Sequence, residues 1–246
     1  MIKRSISIGL NYQGSENELP DCHLDATRIQ ARANDAGYTP HLRLGKFSVS
    51  DFVDEIERLK RDAKHTDTTL ISFSGHGTQY EDPSSPELDF IEEGLCFDGG
   101  GFIEVLDDDD FRLLINSIPG TVFVFLDSCF SGGMQRVVRS PREWKRKFVP
   151  FDPAFKIVEY VPDYMRTVKT PHVQKRYFLF ASAENEVSWS TGEGGLFTNS
   201  FCQIYDALPA KRRTIANLMR GCVTLCGQEQ TPNYRSEGGN GAKRVF

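Results

Sequence analysis

A chain of 246 residues, 39% hydrophobic and 26% charged, has the make-up of a globular protein able to bury a sizeable core. A formal net charge of −5 argues against non-specific nucleic-acid binding, and no apolar run approaches the roughly 20 residues of a membrane helix. The six cysteines, at positions 22, 96, 129, 202, 222 and 226, have neither CxxC nor zinc-finger spacing, so free thiols in a cytoplasmic setting are expected.

In chain order, Ser5 to Leu10 reads as a short alternating strand, too brief for a signal-peptide core. Cys22 to Ala36 carries Leu24, Ile29 and Ala33 at near-helical spacing and stops at Gly37. Tyr38 to Leu44 is a weaker strand. Ser48 to Lys64 is the clearest helix, with Val49, Phe52, Val53, Ile56 and Leu59 as its apolar stripe and Ser48 or Ser50 as cap. Thr69 to Phe73 is an apolar strand leading into Ser74-Gly75-His76-Gly77. A polar loop to Glu93 is expected next, then a hairpin over Gly94 to Val105, then Asp107 to Asp110 at the start of a helix, where acids suit the positive end. Val122 to Leu126 is a continuous apolar run of the kind buried on both faces of a parallel sheet. Met134 to Gln174 has no clear period. A strand at Tyr177 to Ala183, helices at Thr198 to Leu208 and Thr214 to Cys226, and a strand at Thr231 to Arg235 complete the chain. Strands alternating with helices predict an α/β fold, a mostly parallel central sheet flanked by helices on both faces.

Two strands end in chemistry. The run at Val122 to Leu126 stops at Asp127-Ser128-Cys129, followed by Ser131-Gly132-Gly133, and the carboxyl ends of parallel strands are where open α/β sheets bind ligands. A thiol attacks as thiolate and needs a base, and His76 ends a strand of the same grammar. If the two strands are neighbours, His76 and Cys129 meet across about one strand spacing, ~5 Å. Alternation puts Ser74 on the face of His76 and Asp127 on that of Cys129. A buried structural thiol and a hydrogen-bonded core histidine are the bland alternatives.

The SFSGHG and DSCFSG stretches resemble the two active-site signatures of the metacaspase and caspase-like cysteine peptidases, and Asn11 to Gly14 with Leu19 to Ala26 resembles a third motif of that family. The resemblance implies the caspase fold in a single domain over 1–246. Residues 1–133 would correspond to the large-subunit-like segment, 134–174 to a linker and 175–246 to the small-subunit-like segment. It also implies Cys129 as nucleophile, His76 as general base and acid, and the amides of Gly77 and Cys129 as oxyanion donors. Asp25, Asp127, Cys22 and Ser74 fall on positions lining the family's primary pocket, which in metacaspases takes Arg or Lys. Two carboxylates in a partly desolvated pocket suit a cation, although Asp25 as a helix cap and Asp127 as strand-end polarity remain open. No acid can be assigned to orient His76. Trp189, in the second segment, would pack on the substrate residue before the scissile one or be an ordinary surface tryptophan.

Metacaspases commonly need calcium, and Asp82, Glu87, Asp89, Glu92 and Glu93 offer oxygen ligands, but Arg136 stands where calcium-dependent members often carry an acid. Cys222 and Cys226, four apart on a helix, are read as buried small hydrophobes, with metal binding as the alternative. The basic run Arg136, Arg139, Arg142, Lys145, Arg146 and Lys147 is expected to be exposed and to act as a cleavable activation segment, with a nucleic-acid patch as the alternative. The expectation is a cysteine endopeptidase acting on protein or peptide substrates after Arg or Lys, with an upstream activating protease as a possible partner and neither nucleic acid nor membrane involved. An inactive caspase-fold adaptor and a Cys/His amidohydrolase on a small substrate are the competing functions.

Overall fold

The computed structural model describes residues 1–83, 90–129, 143–160, 174–183 and 186–245. Its centre is a six-stranded sheet made of β1 (Lys3–Gly9), β2 (Leu42–Leu44), β3 (Thr68–Ser74), β7 (Thr121–Asp127), β10 (Lys175–Phe180) and β12 (Asn233–Glu237). Across the sheet their order is β12-β10-β7-β3-β1-β2. All neighbours are parallel except β12, which runs against β10. The chain between Gly9 and Thr121 also forms α1 (Cys22–Asp35), α2 (Val49–Arg61) and α3 (Asp108–Ser117), and α4 (Leu196–Ala207) and α5 (Ile215–Cys226) follow β10.

Alternation along the strands divides the core in two. Val122, Val124 and Leu126 pack with Phe52, Ile56, Phe111 and Leu114 on the α2/α3 face. Phe123 and Phe125 face α1, α4 and α5, where they join Ile29, Phe197, Phe201 and Leu218. The Phe125 ring stacks on Phe197 at 4.5 Å and meets Phe201 edge-on at 5.0 Å. Burying a side chain of this size contributes about 1.5–3 kcal/mol, so β7 is clamped just before it delivers Cys129.

The helix ends follow local chemistry. Ser48 Oγ accepts from the Asp51 amide while the Asp51 carboxylate accepts from the Ser48 amide, a closed capping box that starts α2. Asp107 accepts from the Asp110 amide at 2.6 Å to start α3. Gly120, with φ +88, turns α3 into β7 where a Cβ would run into the Asp67 carbonyl.

The stretch after Gly77 departs from the expected polar loop. It forms β4 (Gly77–Glu81), because Thr78 and Tyr80 alternate inward and pair with β5 (Ile91–Asp98). The latter pairs with β6 (Ile103–Asp107), and β9 (Lys156–Ile157) adds a parallel edge. The span expected to be an aperiodic linker thus contributes two short strands, β9 and β8 (Lys145–Arg146). β8 runs antiparallel to β11 (Trp189–Ser190). No helix among the described residues is long and apolar enough to cross a membrane.

Candidate active site

The β3/β7 register pairs Ser74 with Asp127, so the two polar strand ends finish level at one sheet edge. His76 and Cys129 lie two residues beyond those strand ends, and both are buried. His76 is held on three sides. Its amide donates to Tyr12 Oη at 2.9 Å, its Nε2 lies 2.7 Å from the Asn17 carbonyl oxygen, and its ring packs 4.8 Å from that of Tyr12. A carbonyl only accepts, so Nε2 carries the proton in the neutral ring, and Nδ1, which is buried without a hydrogen-bond partner, keeps the lone pair. Burial lowers the His76 pKa to about 4 against the raising effect of the Asn17 bond, so the ring is neutral at pH 7. The Cys129 thiol donates to the Glu186 carbonyl at 2.9 Å.

The chain's own segment 145–149 is bonded across Gly77, Cys129 and Ser188 beside these two residues. The Lys147 carbonyl oxygen accepts from the amides of both Gly77 (3.0 Å) and Cys129 (3.2 Å). The Lys147 amide donates to the Ser188 carbonyl at 2.9 Å, the Val149 amide to the Gly77 carbonyl at 3.0 Å, and β8 pairs with β11. Lys147 is fully buried, which corrects the expectation that the basic run is exposed. Lys145 and Arg146 do lie at the surface, and Arg136, Arg139 and Arg142 lie outside the described residues. The physical reason is charge: buried carboxylates surround the Lys147 ammonium.

That ammonium sits 2.7 Å from Asp25 Oδ2, 3.1 Å from Asp127 Oδ1 and 2.9 Å from Ser74 Oγ. Burial alone would lower its pKa, but Asp127 and Asp25 outweigh that and hold it well above the ordinary lysine value. Ser74 Oγ donates to Asp25 at 2.8 Å, and the Gly195 amide donates to the other Asp25 oxygen at 2.8 Å. Asp127 accepts from Ser188 Oγ (2.9 Å), the Thr198 amide (3.1 Å) and Thr198 Oγ1 (2.5 Å), at the positive end of α4. The bland readings of Asp25 as a helix cap and Asp127 as strand-end polarity do not describe these contacts. Cys22 is buried beside the same charges, and burial pushes its thiol far up.

Trp189 is buried and doubly anchored, its amide donating to Gln230 Oε1 at 3.2 Å and its indole Nε1 to the Glu229 carbonyl at 3.1 Å. The Arg146 guanidinium lies 5.9 Å from its ring centroid. Cys222 and Cys226 are buried, Cys226 Sγ donating to Ser200 Oγ at 3.4 Å. Of the expected calcium ligands, Glu87 and Asp89 lie outside the described residues. Glu92 and Glu93 are consecutive on β5, opposite Tyr80 and Gln79, and face opposite sides of the sheet, so they do not form one ligand set.

Several contributors were not read from the sequence. The Asn17 carbonyl supplies the orientation of His76 for which no acid was found; a backbone group leaves no residue-type signal. Asp21, within the third motif, accepts from Ser190 Oγ (2.6 Å) and the amides of Gly192 (2.9 Å) and Gly194 (3.0 Å), tying α1 to the loop before α4. The Gly194-Gly195 pair was the available signal for that close approach.

Comparison with known proteins identifies the family and the fold. The caspase domain family (peptidase C14) matches residues 3–238. Metacaspase-7 of Arabidopsis thaliana is 28% identical over 151 residues, 54% of this chain and 36% of its own length. Metacaspase-1 of Candida glabrata is 26% identical over 168 residues, 58% of this chain and 42% of its own. The chain thus spans less than half the length of these curated relatives. Among solved structures, a protein from Geobacter sulfurreducens superposes with a TM-score of 0.78 at 22% identity, covering 100% of this chain and 98% of that one. Caspase-1 from Spodoptera frugiperda superposes at 0.61 and 12% identity, covering 96% and 86%. With its sheet, its strand-end cysteine and histidine and its family profile in agreement over nearly the whole sequence, the chain belongs to the caspase domain family of cysteine peptidases.

Proposed function

We propose that this chain is a cysteine endopeptidase that cleaves after Lys or Arg and that its own segment 145–149 occupies the cleft as the first substrate. One observation carries the reading: the Lys147 carbonyl oxygen accepts from the Gly77 and Cys129 amides while its ammonium is held between Asp25 and Asp127. Two amides aimed at one carbonyl oxygen form an oxyanion hole, and the acidic pair selects a cation at the same residue.

In the proposed reaction the thiol leaves the Glu186 carbonyl and passes its proton to His76 Nδ1. The thiolate sulfur bonds to the Lys147 carbonyl carbon, and the negative oxygen is stabilised by the two amides. Collapse breaks the bond to Phe148, whose nitrogen takes the proton from His76. Water then adds to the thioester, returns a proton through His76 and regenerates the thiol. Cleavage of this bond leaves Lys147 at a free end that can withdraw from between Asp25 and Asp127, opening the pocket to an external Lys or Arg, so the intact chain is a zymogen. The full burial of Lys147 equally favours a second reading, a permanently plugged and silent member of the family.

The test is incubation of the purified chain with and without calcium, followed by intact mass and N-terminal sequencing. Fragments 1–147 and 148–246, absent from Cys129→Ala, accompanied by new hydrolysis of Lys and Arg peptide amides, are the expected result. An intact chain that stays silent toward these peptides, even after brief trypsin nicking, supports the plugged reading instead.

A further inference from the structure

Strand β8 and the residues beside it present more than one side chain to the cleft. Antiparallel pairing sets Arg146 opposite Trp189 and Lys145 opposite Ser190, through backbone bonds that any sequence would make. The side chains carry the discrimination. Lys147 enters the acidic pocket. Arg146 lies over the indole of Trp189, whose ring nitrogen donates to the Glu229 carbonyl and whose backbone amide donates to Gln230, so that face is held by the chain itself. Lys145 turns the other way, and its ammonium donates to the Glu18 carbonyl at 2.6 Å. The Trp144 ring lies 6.4 Å from that of Trp189.

Resting on the function proposed above, we propose that the cleft reads a run of basic residues. It takes Arg on the Trp189 face at the second position upstream of the cut and Lys at the Glu18 carbonyl at the third. Its substrate class is a polybasic segment, of which Trp144-Lys145-Arg146-Lys147 is the internal copy. A guanidinium is planar and weakly hydrated, so it covers an indole face at little desolvation cost, whereas a lysine ammonium is better suited to a single carbonyl acceptor. Both contacts lie at the rim, so each adds selectivity on top of the buried first pocket and does not replace it.

Glu18 follows Asn17, whose carbonyl orients His76. Turns within the loop brace both carbonyls: Ser15 Oγ donates to the Tyr12 carbonyl at 2.8 Å, the Leu19 amide to the Asn11 carbonyl at 2.9 Å, and the Gly14 amide to the Glu18 carboxylate at 3.0 Å. A lysine at the third position therefore docks on the same loop that positions the base.

The experiment measures kcat/KM of the self-cleaved chain on four fluorogenic amides: acetyl-Trp-Lys-Arg-Lys, the same with Ala for Arg, the same with norleucine for Lys at the third position, and acetyl-Ala-Ala-Ala-Lys. Each single replacement is expected to lower kcat/KM about three- to fivefold, the scale of an exposed cation–π or charge-assisted contact. In Trp189→Leu the Arg-to-Ala difference should collapse while the norleucine difference persists. Equal rates on all four peptides would overturn the inference and leave the cleavage after lysine standing. No cleavage of any of them would overturn both.

Discussion

Tyr12 and His76 stand ring against ring, and the Tyr12 hydroxyl joins two backbones, accepting from the His76 amide at 2.9 Å and donating to the Cys96 carbonyl at 2.7 Å. Tyr12 does this from a left-handed backbone, φ 51, a conformation that costs a bulky residue on the order of 1–3 kcal/mol and persists only where its surroundings enforce it. Tyr12→Phe keeps the ring and removes the link. The expected result is a fall in kcat of about tenfold, the scale of one buried hydrogen bond, with KM nearly unchanged. A change confined to KM would show that Tyr12 shapes the cleft and does not position the base.

Burial raises the Asp25 carboxyl to about 6 even though the Lys147 ammonium pulls it down. A carboxyl raised in this way is an anion above that pH and neutral below it. The binding of a cationic side chain that depends on the anion is therefore complete at higher pH and lost as pH falls through the raised value. In the opened enzyme, without the ammonium, the value is higher still, so the loss begins sooner. KM for a lysine peptide amide should climb between pH 7.5 and 5.5 by roughly tenfold, and Asp25→Asn should show a high, flat KM across the range. A flat wild-type profile would remove Asp25 from the charge balance of the pocket.

Gly195 sits where a Cβ would run into Asp127 Oδ2 and Lys147 Nζ, yet its backbone angles, φ −61 and ψ 140, are open to any residue. Gly195→Ala therefore acts by filling space without straining the chain. We expect KM for lysine and arginine peptides to rise more than tenfold, together with loss of self-cleavage, and thermal unfolding to reveal whether stability changes as well. Unaltered KM in a folded variant would mean that the cation does not bind in this pocket.

Arg176 is buried in β10 and donates to the carbonyls of Gly120 (2.7 Å), Ile118 (2.5 Å) and Asn116 (3.3 Å), closing the end of α3 at the opposite end of the strands from His76 and Cys129. Replacing it with methionine leaves those acceptors unpaired. Urea denaturation of Arg176→Met in a Cys129→Ala background should show a loss of about 2–4 kcal/mol. Self-cleavage by Arg176→Met with Cys129 intact, at a temperature where it stays folded, should match the parent chain. A loss below 0.5 kcal/mol would contradict this account of α3.

The elements most legible in the sequence were those whose period was local. The apolar run at Val122 to Leu126 became β7, buried on both faces, and the stripe from Val49 to Leu59 became α2 with its Ser48 cap. The strand at Gly77 to Glu81 was missed because its five residues carry a weak alternation that only pairing with β5 stabilises. Lys147 was placed on an exposed run because its neighbours are basic. Position in a charge cluster says nothing about which one of its members will find carboxylates.

By itself the sequence determined which residues could do chemistry: a cysteine and a histidine, each at the end of an apolar strand, with Asp25, Asp127 and Ser74 nearby in the motifs. Local spacing suffices for that, because strand ends and side-chain alternation are properties of a few consecutive residues. The tertiary structure alone decided what surrounds them. The β3/β7 register, the Asn17 carbonyl behind His76, and the union of Asp25, Asp127 and Lys147 from parts of the chain 102 and 20 residues apart depend on long-range packing. A buried ammonium is stable only where such carboxylates converge, and their convergence is a fact of the fold.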